Sequence, residues 1–234
     1  MRAAGTNIAS HDARDLPAYP LAEAARYVRI AAATLRSWVV GRPYPKAGGV
    51  AHFRPLLILP DRNKPVLAFN NLVEAHILRA LRTEHGVSIQ AVRKALDYAE
   101  RELGIRRLLL RRELRTNGGE LLLDRYGELI NLTRSGQLAM KKLLEAHLHR
   151  VVWDADDFPR RLFPFVHNES VEAPRNIAID PLVAFGRPVV MKRGVTTGAI
   201  AARIDAGEDV EEIAADYNLE PRDVEEAVLY ERAA

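Results

Sequence analysis

The sequence has no cysteine and no long uninterrupted run of apolar residues, and each absence excludes a class of protein. Without cysteine, the 234-residue chain can form no disulfide, no thiolate metal site and no cysteine nucleophile. No run approaches the roughly eighteen apolar residues of a membrane-spanning helix. In addition, Asp12, Arg14 and Asp15 stand where a signal peptide would have its apolar stretch. We therefore expect a cytoplasmic protein with no membrane partner.

The motifs of the common enzyme classes are missing as well. The chain has no phosphate-binding loop, no nucleophile elbow and no dinucleotide-binding fingerprint. Its histidines lack the i, i+4 spacing of a helical metal pair, and the aspartates near residue 156 lack the glycine and distal glutamate of a calcium loop. We predict that the protein is not an enzyme and holds no cofactor or metal.

What the chain does have is charge, and the two signs are divided unevenly along it. The net charge is +3, but residues 1–150 carry +11 and residues 151–234 carry −8. Such an asymmetry indicates nucleic-acid binding by the basic part, although a solvated basic surface without a partner is the alternative. Hydrophobic residues make up 48% of the chain, enough to bury ordinary cores.

Apolar periodicity and punctuation by proline divide the chain into four parts. Residues 1–17 lack periodicity and are predicted to be a flexible arm. Residues 18–153 are predicted to form a DNA-binding and dimerisation domain, and residues 154–176, where prolines recur and the charge changes sign, a linker. Residues 177–234 are predicted to form an acidic domain in which an extended segment precedes three short helices. The predicted fold class is α+β, mainly α.

The elements predicted within the larger domain alternate between helical and extended periods. Apolar stripes predict two short helices between residues 20 and 39, joined by a tight turn. Residues 44–69, with the proline-bounded run 55–60, predict a strand and hairpin, and helices follow over 71–83 and 88–103. Asn117-Gly118-Gly119 is a hairpin signal that predicts a small antiparallel sheet within 105–133, followed by a helix over 137–151.

The first two predicted helices have the layout that places a second helix in the major groove of DNA. If Ile30, Leu35 and Trp38 face inward, the outward side chains include Arg36, which suits guanine, and Thr34 and Ser37, which suit phosphates or base edges. The candidate DNA-binding residues are Arg29, Thr34, Arg36, Ser37, Arg42, Lys46, His52 and Arg54, the last four on the predicted hairpin. An ordinary helical hairpin with a basic solvated face is the alternative.

Residues 20–38, PLAEAARYVRIAAATLRSW, resemble the start of MerR-like winged helix-turn-helix domains. The shared features are an acidic–Ala pair, a Thr-Leu-Arg and a following aromatic residue, and the likeness extends over about residues 18–103. Two positions differ: Arg29 stands where that family's turn usually has glycine, and Ala31 where it usually has a capping serine. An uncapped helix start costs about 1 kcal/mol, which packing can offset.

One recognition helix contacts few base pairs, so proteins of this kind usually pair across a two-fold axis. We therefore expect a homodimer on double-stranded operator DNA. The predicted contact is either the sheet within 105–133 or an apolar stripe of leucines at Leu138, Leu143, Leu144 and Leu148.

The carboxy-terminal segments IDPLVAFGRPV (179–189), GEDVEEIAADY (207–217) and VEEAV (224–228) resemble domain-of-unknown-function family 433. Its members are widely found as small antitoxins paired with PIN-like ribonuclease toxins. Together with the amino-terminal likeness, the chain resembles long VapB-type antitoxins. The resemblance implies an antitoxin of a type II toxin–antitoxin system that neutralises a PIN-like ribonuclease and acts as an autorepressor.

The basic residues nearest this motif are the candidates for toxin contact. A PIN-like nuclease gathers carboxylates around a divalent metal, so an inhibitor gains most from a cation placed there. The candidate toxin-binding residues are Phe185, Arg187, Met191, Lys192 and Arg193. Two alternatives stay open: that Arg187 and Arg193 pair internally with Asp180 or Asp205, and that the chain is a MerR-like ligand-responsive transcription regulator whose carboxy-terminal domain binds a small effector.

Overall fold

Short helices alternate with two- and three-stranded antiparallel sheets in the computed structural model, which describes residues 12–83, 89–102, 104–111, 134–166 and 174–232. This confirms the predicted α+β, mainly helical class. Within those ranges, no helix is both long enough and apolar enough to cross a membrane.

The first two helices form where their apolar stripes predict them. Helix α1 is Leu21–Tyr27 and helix α2 is Ala32–Val39. After α2 the chain turns at Gly41, whose φ is +82° and where a Cβ would lie 2.2 Å from the Phe53 carbonyl oxygen, so only glycine fits. Strands β2 and β3, Arg42–Lys46 and Gly49–Phe53, then pair as a hairpin.

The strand predicted for residues 55–60 does not form, and the hairpin lies before it. The amides of Leu56 and Leu57 donate instead to the Trp38 carbonyl oxygen, at 2.7 and 3.1 Å, and cap the end of α2. Leu57 and Leu59 are buried. The run is therefore apolar because it anchors the hairpin to the core and not because it pairs in a sheet.

Helix α3, Phe69–Thr83, is the centre of the main core. Its Leu72, Val73, Ile77 and Leu78 have no exposed surface. Around it lie helix α4, Ile89–Glu102, helix α5, Arg134–His149, and the short antiparallel pair β1, Tyr19–Pro20, with β4, Val66–Leu67.

The predicted sheet within 105–133 is described only at its start. There Leu108–Leu110 forms a 3-10 turn, and its three leucines are buried against α3. These leucines anchor the segment on the core and are not part of a strand. Residues 112–133 lie outside the described ranges.

The predicted linker is in part folded structure. Strand β5, Val151–Trp153, pairs with β6, Pro159–Leu162, and Leu162 also bridges to Ile179. Phe163 and Phe165 are buried, and the buried guanidinium of Arg150 donates to the carbonyl oxygens of Phe163, Pro164 and Pro174, at 2.7 to 2.9 Å. One apolar cluster runs from Tyr19 to Ile179, so a cut at residue 150, the boundary used to count the charges, would divide a core.

The carboxy-terminal residues form the predicted three helices with a core of their own. Strands β7, β8 and β9 make a small sheet in that order, and helices α6, α7 and α8 follow. Their bounds are Ile177–Ala178, Val189–Val190 and Val195–Thr196 for the strands, and Thr197–Asp205, Val210–Tyr217 and Pro221–Arg232 for the helices. Val190, Ile200, Ile213 and Val224 are buried among these helices.

Candidate DNA-binding and partner-binding surfaces

The turn between α1 and α2 is a Schellman motif with an arginine at its glycine position. The amide of Arg29 donates to the Arg26 carbonyl oxygen at 3.2 Å, and the amide of Ile30 to that of Ala25 at 2.9 Å, which is the bond pattern of that motif. Arg29 is left-handed, with φ +56°. A non-glycine residue there costs about 1–2 kcal/mol, so contacts elsewhere must offset it.

Arg29 finds those contacts on the last helix of the chain. Its guanidinium lies 5.4 Å from the ring centroid of Tyr230, and its Nη2 donates to the Tyr230 carbonyl oxygen at 3.3 Å. Arg29 was predicted to bind DNA, but the structure turns its side chain toward the carboxy-terminal domain. The contact lies 201 residues away in sequence, so no local pattern could have revealed it.

The outward face of α2 is as the sequence predicts. Arg36 is exposed, while Leu35 and Trp38 are buried, and Thr34 and Ser37 are half-buried. The Ser37 hydroxyl donates to the Thr34 carbonyl oxygen at 2.8 Å, which leaves its lone pairs to accept. Helix α2 starts at Ala31 without a side-chain cap, so its first amides are open to an acceptor.

The hairpin carries three of the four predicted basic residues, Arg42, Lys46 and His52, in exposed positions. Arg42 pairs with Phe53 and Lys46 with Gly49, so Arg42 and Lys46 share one face, whereas His52 pairs with Pro43 on the other. Arg54 follows the hairpin and is exposed. These side chains could contact backbone phosphates on either side of a groove.

Sequence reasoning missed Arg93, the residue of α4 that fixes the base of this hairpin. Its guanidinium lies 4.8 Å from the ring centroid of Phe53 and donates to the carbonyl oxygens of Arg54 and Pro55. Arg93 was not among the candidates, because a basic residue on a helix is ordinarily a solvated side chain. Its role depends on the folded position of a segment about forty residues earlier.

An exposed loop precedes β8 in the carboxy-terminal domain. Phe185 is 93% exposed and Leu182 76% exposed, which is unusual for side chains of this size. Ala184 and Phe185 are both left-handed, with φ +48° and +56°, so the backbone is strained at the point where it presents the ring. We call residues 182–187 the apolar loop.

Arg187 lies at the end of the apolar loop and is exposed, with no side-chain hydrogen bond or ion pair within the described part of the chain. The internal pairing considered for it is wrong. Asp180 is buried and accepts from Arg161 at 2.9 and 3.1 Å, and Asp205 accepts from Arg232 at 2.8 Å.

The other candidate toxin-binding residues, Met191, Lys192 and Arg193, have contacts within the domain or are partly buried. Lys192 donates to Glu220 at 2.6 Å, and Arg193 donates to the Asn218 carbonyl oxygen at 3.0 Å. Beside Glu220 the pKa of Lys192 is raised from its ordinary value, so the ammonium stays charged. Met191 is half-buried. All four of Phe185, Arg187, Lys192 and Arg193 are exposed, but Lys192 and Arg193 are already hydrogen-bonded within the domain.

The two domains meet at the helix-turn-helix itself. Tyr230 is buried, and its hydroxyl donates to the Tyr27 carbonyl oxygen at 3.0 Å. Glu231 pairs with Arg26 of α1 and also accepts from the Thr197 hydroxyl at 2.5 Å. Burial next to Tyr27 holds the pKa of the Tyr230 phenol well above its ordinary value, so this donor keeps its proton.

A second contact between the domains is made by a glycine of the apolar loop. A Cβ at Gly186 would lie 2.1 Å from the hydroxyl oxygen of Tyr19, the residue two positions before α1. Tyr19 in turn packs edge-on against Tyr27, with ring centroids 6.2 Å apart. The candidate DNA-binding and partner-binding surfaces are thus joined through a few buried aromatic residues. Among the described residues, no cluster of His, Asp and Glu could hold a metal ion.

Comparison with known proteins relates both surfaces to families. Residues 17–96 match a family described as "Putative DNA-binding HTH domain", and residues 177–230 match the one described as "Protein of unknown function (DUF433)". The chain is 29% identical over 231 residues to "Putative antitoxin VapB45" of Mycobacterium tuberculosis, which covers 92% of this chain and 93% of that protein. It is 28% identical over 229 residues to "Uncharacterized protein Rv2308" of the same organism, covering 92% of this chain and 90% of that one.

The fold has a solved counterpart. The crystal structure of Rv2018 from Mycobacterium tuberculosis superposes with a TM-score of 0.65 at 25% identity, and the match covers 92% of this chain and 98% of that one. The resemblance drawn from the sequence is confirmed. The chain is a homologue of VapB45, with an amino-terminal helix-turn-helix domain and a carboxy-terminal DUF433 domain.

Proposed function

We propose that the chain is the antitoxin of a type II toxin–antitoxin system, that it neutralises a PIN-like ribonuclease, and that it represses its own operator as a dimer. Its homology to a protein named as an antitoxin and its helix-turn-helix domain support a regulatory, non-enzymatic role. The observation that carries the proposal is Phe185, a ring 93% exposed on a left-handed backbone beside the exposed Arg187.

The apolar loop suits a toxin that has a carboxylate-lined metal site. Phe185 and Leu182 supply apolar anchors, and binding energy concentrates in a few such residues. Arg187 stands next to them and can enter a cluster of carboxylates, where charge-assisted hydrogen bonds are strongest. Lys192 and Arg193, already bonded to Glu220 and Asn218, shape the surface beside it.

The test of toxin binding starts from native cells. The full chain is purified with whatever remains bound, and the partner is identified by mass spectrometry and its RNA cleavage is assayed. We expect a metal-dependent nuclease that the wild-type chain inhibits. In the presence of the double variant Phe185→Ala with Arg187→Ala, the rate of RNA cleavage should be about a hundredfold or more higher than with the wild-type chain, as expected for the loss of two central contacts.

The matched control is Arg232→Ala, an exposed arginine of the same domain that pairs with Asp205. It should inhibit like the wild type. Full inhibition by the double variant, or a co-purifying partner that is not a nuclease, would contradict the toxin part of the proposal.

The DNA part of the proposal rests on α2 and the hairpin. Arg36 is exposed on α2, and Arg42 and Lys46 share a face of the hairpin. The carboxy-terminal residues 195–234 carry −8 and repel phosphate. A duplex selected by the wild-type chain from a randomised pool serves as probe. Arg36→Ala should relax base preference at one position at a cost of about 1–3 kcal/mol, whereas Lys46→Ala should weaken all duplexes alike.

The dimer part keeps both of its predicted contacts open, although two of the leucines proposed for one of them are used within the chain. Leu144 is buried within the chain's own core and Leu148 packs against it, so these two leucines of the predicted stripe are not free for a partner, while the side chains of Leu138 and Leu143 lie outside the described ones. Most of the predicted sheet lies outside the described residues. Light scattering at micromolar concentration, with and without the duplex, tests the dimer, and a monomer under both conditions would overturn it.

In the described carboxy-terminal residues, the feature that a small effector could use is an open polar cleft lined by Arg175, Lys192, Glu220 and Asp223 among others. The core of α6 to α8 is filled by the domain's own side chains, among them Val190, Ile200, Ile213 and Val224. The toxin-binding interpretation is favoured because the feature that stands out on this domain is an exposed apolar loop.

A further inference from the structure

We propose that Tyr230, on the last helix of the DUF433 domain, is a positioning residue for the DNA-binding helix pair, because it holds Arg29 in the left-handed turn that sets α2 against α1. The inference deepens the proposed DNA-binding function and rests on it.

The turn lacks two of its local stabilising signals. Arg29 occupies a left-handed position that glycine enters without strain. Ala31 starts α2 without a side-chain cap. The backbone bonds of the Schellman motif are present, but they accompany a backbone conformation that arginine avoids. Something outside the turn must therefore keep it in place.

Two side chains from distant helices do so. From α3, Arg79 donates to the Val28 carbonyl oxygen at 3.2 Å. From α8, Tyr230 places its ring under the Arg29 guanidinium, accepts from it through the main-chain carbonyl, and donates its hydroxyl to the Tyr27 carbonyl oxygen. Tyr230 thus contacts residues on both sides of Val28, the cap residue of α1.

Tyr230 does not only fill space in the core, because its hydroxyl contacts the end of α1 and its ring contacts the turn that follows α1. A buried phenol could have been satisfied by any acceptor, but its partner is the carbonyl of the last residue of α1. An arginine in the turn could have faced DNA, but it faces this ring. Loss of the ring removes one of the interactions that offset the left-handed conformation, and the angle between α1 and α2 is then less constrained.

The experiment compares substitutions at both ends of the contact in the full chain. The variants are Tyr230→Phe, Tyr230→Leu, Arg29→Ala, Arg29→Gly and the double variant Arg29→Gly with Tyr230→Leu. Two quantities are measured: amide hydrogen exchange of residues 28–31 without DNA, and the Kd for the duplex that the wild-type chain selects from a randomised pool.

Tyr230→Leu should raise both exchange in the turn and Kd by about tenfold, within the range of coupling between residues in contact. Tyr230→Phe keeps the ring under Arg29 and should recover most of that loss. Arg29→Ala keeps a strained position without its partner and should resemble Tyr230→Leu, whereas Arg29→Gly should not. In the Arg29→Gly background, Tyr230→Leu should change Kd by less than about threefold.

Arg232→Ala, on the same helix but paired with Asp205, is the control and should change neither quantity. The Arg29 variants leave α8 intact, so they decide the question even if Tyr230→Leu unfolds the domain. Equal effects of Arg29→Ala and Arg29→Gly, or an undiminished effect of Tyr230→Leu in the Arg29→Gly background, would overturn the inference. If the wild-type chain selects no duplex, the DNA-binding proposal fails, while hydrogen exchange still decides whether Tyr230 holds the turn.

Discussion

The helices at the two ends of the chain are stabilised in different ways. The carboxy-terminal helices carry their own signals: the Thr196 hydroxyl oxygen accepts from the amide of Ala199 at the start of α6, and Asn218, a residue tolerant of φ near +53°, ends α7. The amino-terminal pair has alanine where a cap is expected and arginine where glycine is expected. It is supported by side chains outside the two helices, among them Arg79, Tyr19 and Tyr230.

This difference indicates that the geometry of the α1–α2 pair is more easily changed than that of α6 to α8. A helix group specified by its own residues keeps its geometry whatever contacts it. A helix pair held from outside changes when its support changes, and two of its supports, Tyr230 and the Gly186 contact to Tyr19, belong to the domain that we propose binds a toxin. We expect perturbations of that support to affect α1 and α2 more than α6 to α8.

The largest effect should come from Gly186→Ala. Gly186 has a φ of +76°, and the new methyl group would lie 2.1 Å from the buried Tyr19 hydroxyl oxygen, so strain and overpacking together should cost about 3 kcal/mol. Gly207→Ala is the matched control, since Gly207 is also left-handed but has open space around it, and should cost about 1–2 kcal/mol from strain alone. The free energy of unfolding in urea measures both. Equal losses would mean that the contact with Tyr19 is not tight.

The next largest effect is expected from low pH, which should destabilise the core around α3 and α5 before it destabilises α6 to α8. His76 is buried in α3 beside His147, with ring centroids 4.7 Å apart, and near Phe165 and the cations Arg79 and Arg150. Burial first, and then the charges of His147, Arg79 and Arg150, hold the pKa of His76 well below its ordinary value. The folded state therefore keeps His76 neutral, whereas the unfolded chain protonates it near pH 6.5, so stability is full above that pH and falls as the pH drops below it.

As the pH is lowered from 7.5 to 5.5, the free energy of unfolding should therefore fall. Residues 177–234 contain no histidine, so hydrogen exchange should rise in α3 and α5 before it rises in α6 to α8. His76→Gln should flatten the pH dependence, and His52→Gln, at an exposed hairpin position, should leave it unchanged. An unaltered slope in the His76→Gln variant would show that other groups carry it.

Sequence analysis correctly predicted features set by residues close together in the sequence, and it missed features set by contacts between residues far apart in the sequence. Helices with clear apolar stripes were placed within a few residues, and Arg36 was correctly placed on the exposed face of α2. Arg29 was misjudged because its partner is 201 residues away. Its presence at a glycine position was nevertheless a signal that another part of the chain must support it. The linker prediction was wrong for residues 159–165 because proline and charge dominated the pattern, while Leu162, Phe163 and Phe165 are core residues.

The smallest expected effect comes from adding a helix cap to α2 and removing one from α6. These two substitutions test most directly whether the two ends of the chain are stabilised differently. Ala31→Ser would give α2 the cap that it lacks; Ala31 is exposed, with φ −54° and ψ 131°, so the hydroxyl can accept from an amide of the first turn without rearrangement. We expect a gain of about 0.5–1 kcal/mol in the free energy of unfolding. Thr196→Ala removes the corresponding cap of α6 and should lose about 1 kcal/mol. If α1 and α2 are held from outside, Ala31→Ser should also reduce the effect of Tyr230→Leu on exchange in the turn, whereas Thr196→Ala should not alter it. If Ala31→Ser and Thr196→Ala change the effect of Tyr230→Leu on exchange in the turn by the same amount, the two ends of the chain do not differ in the way proposed.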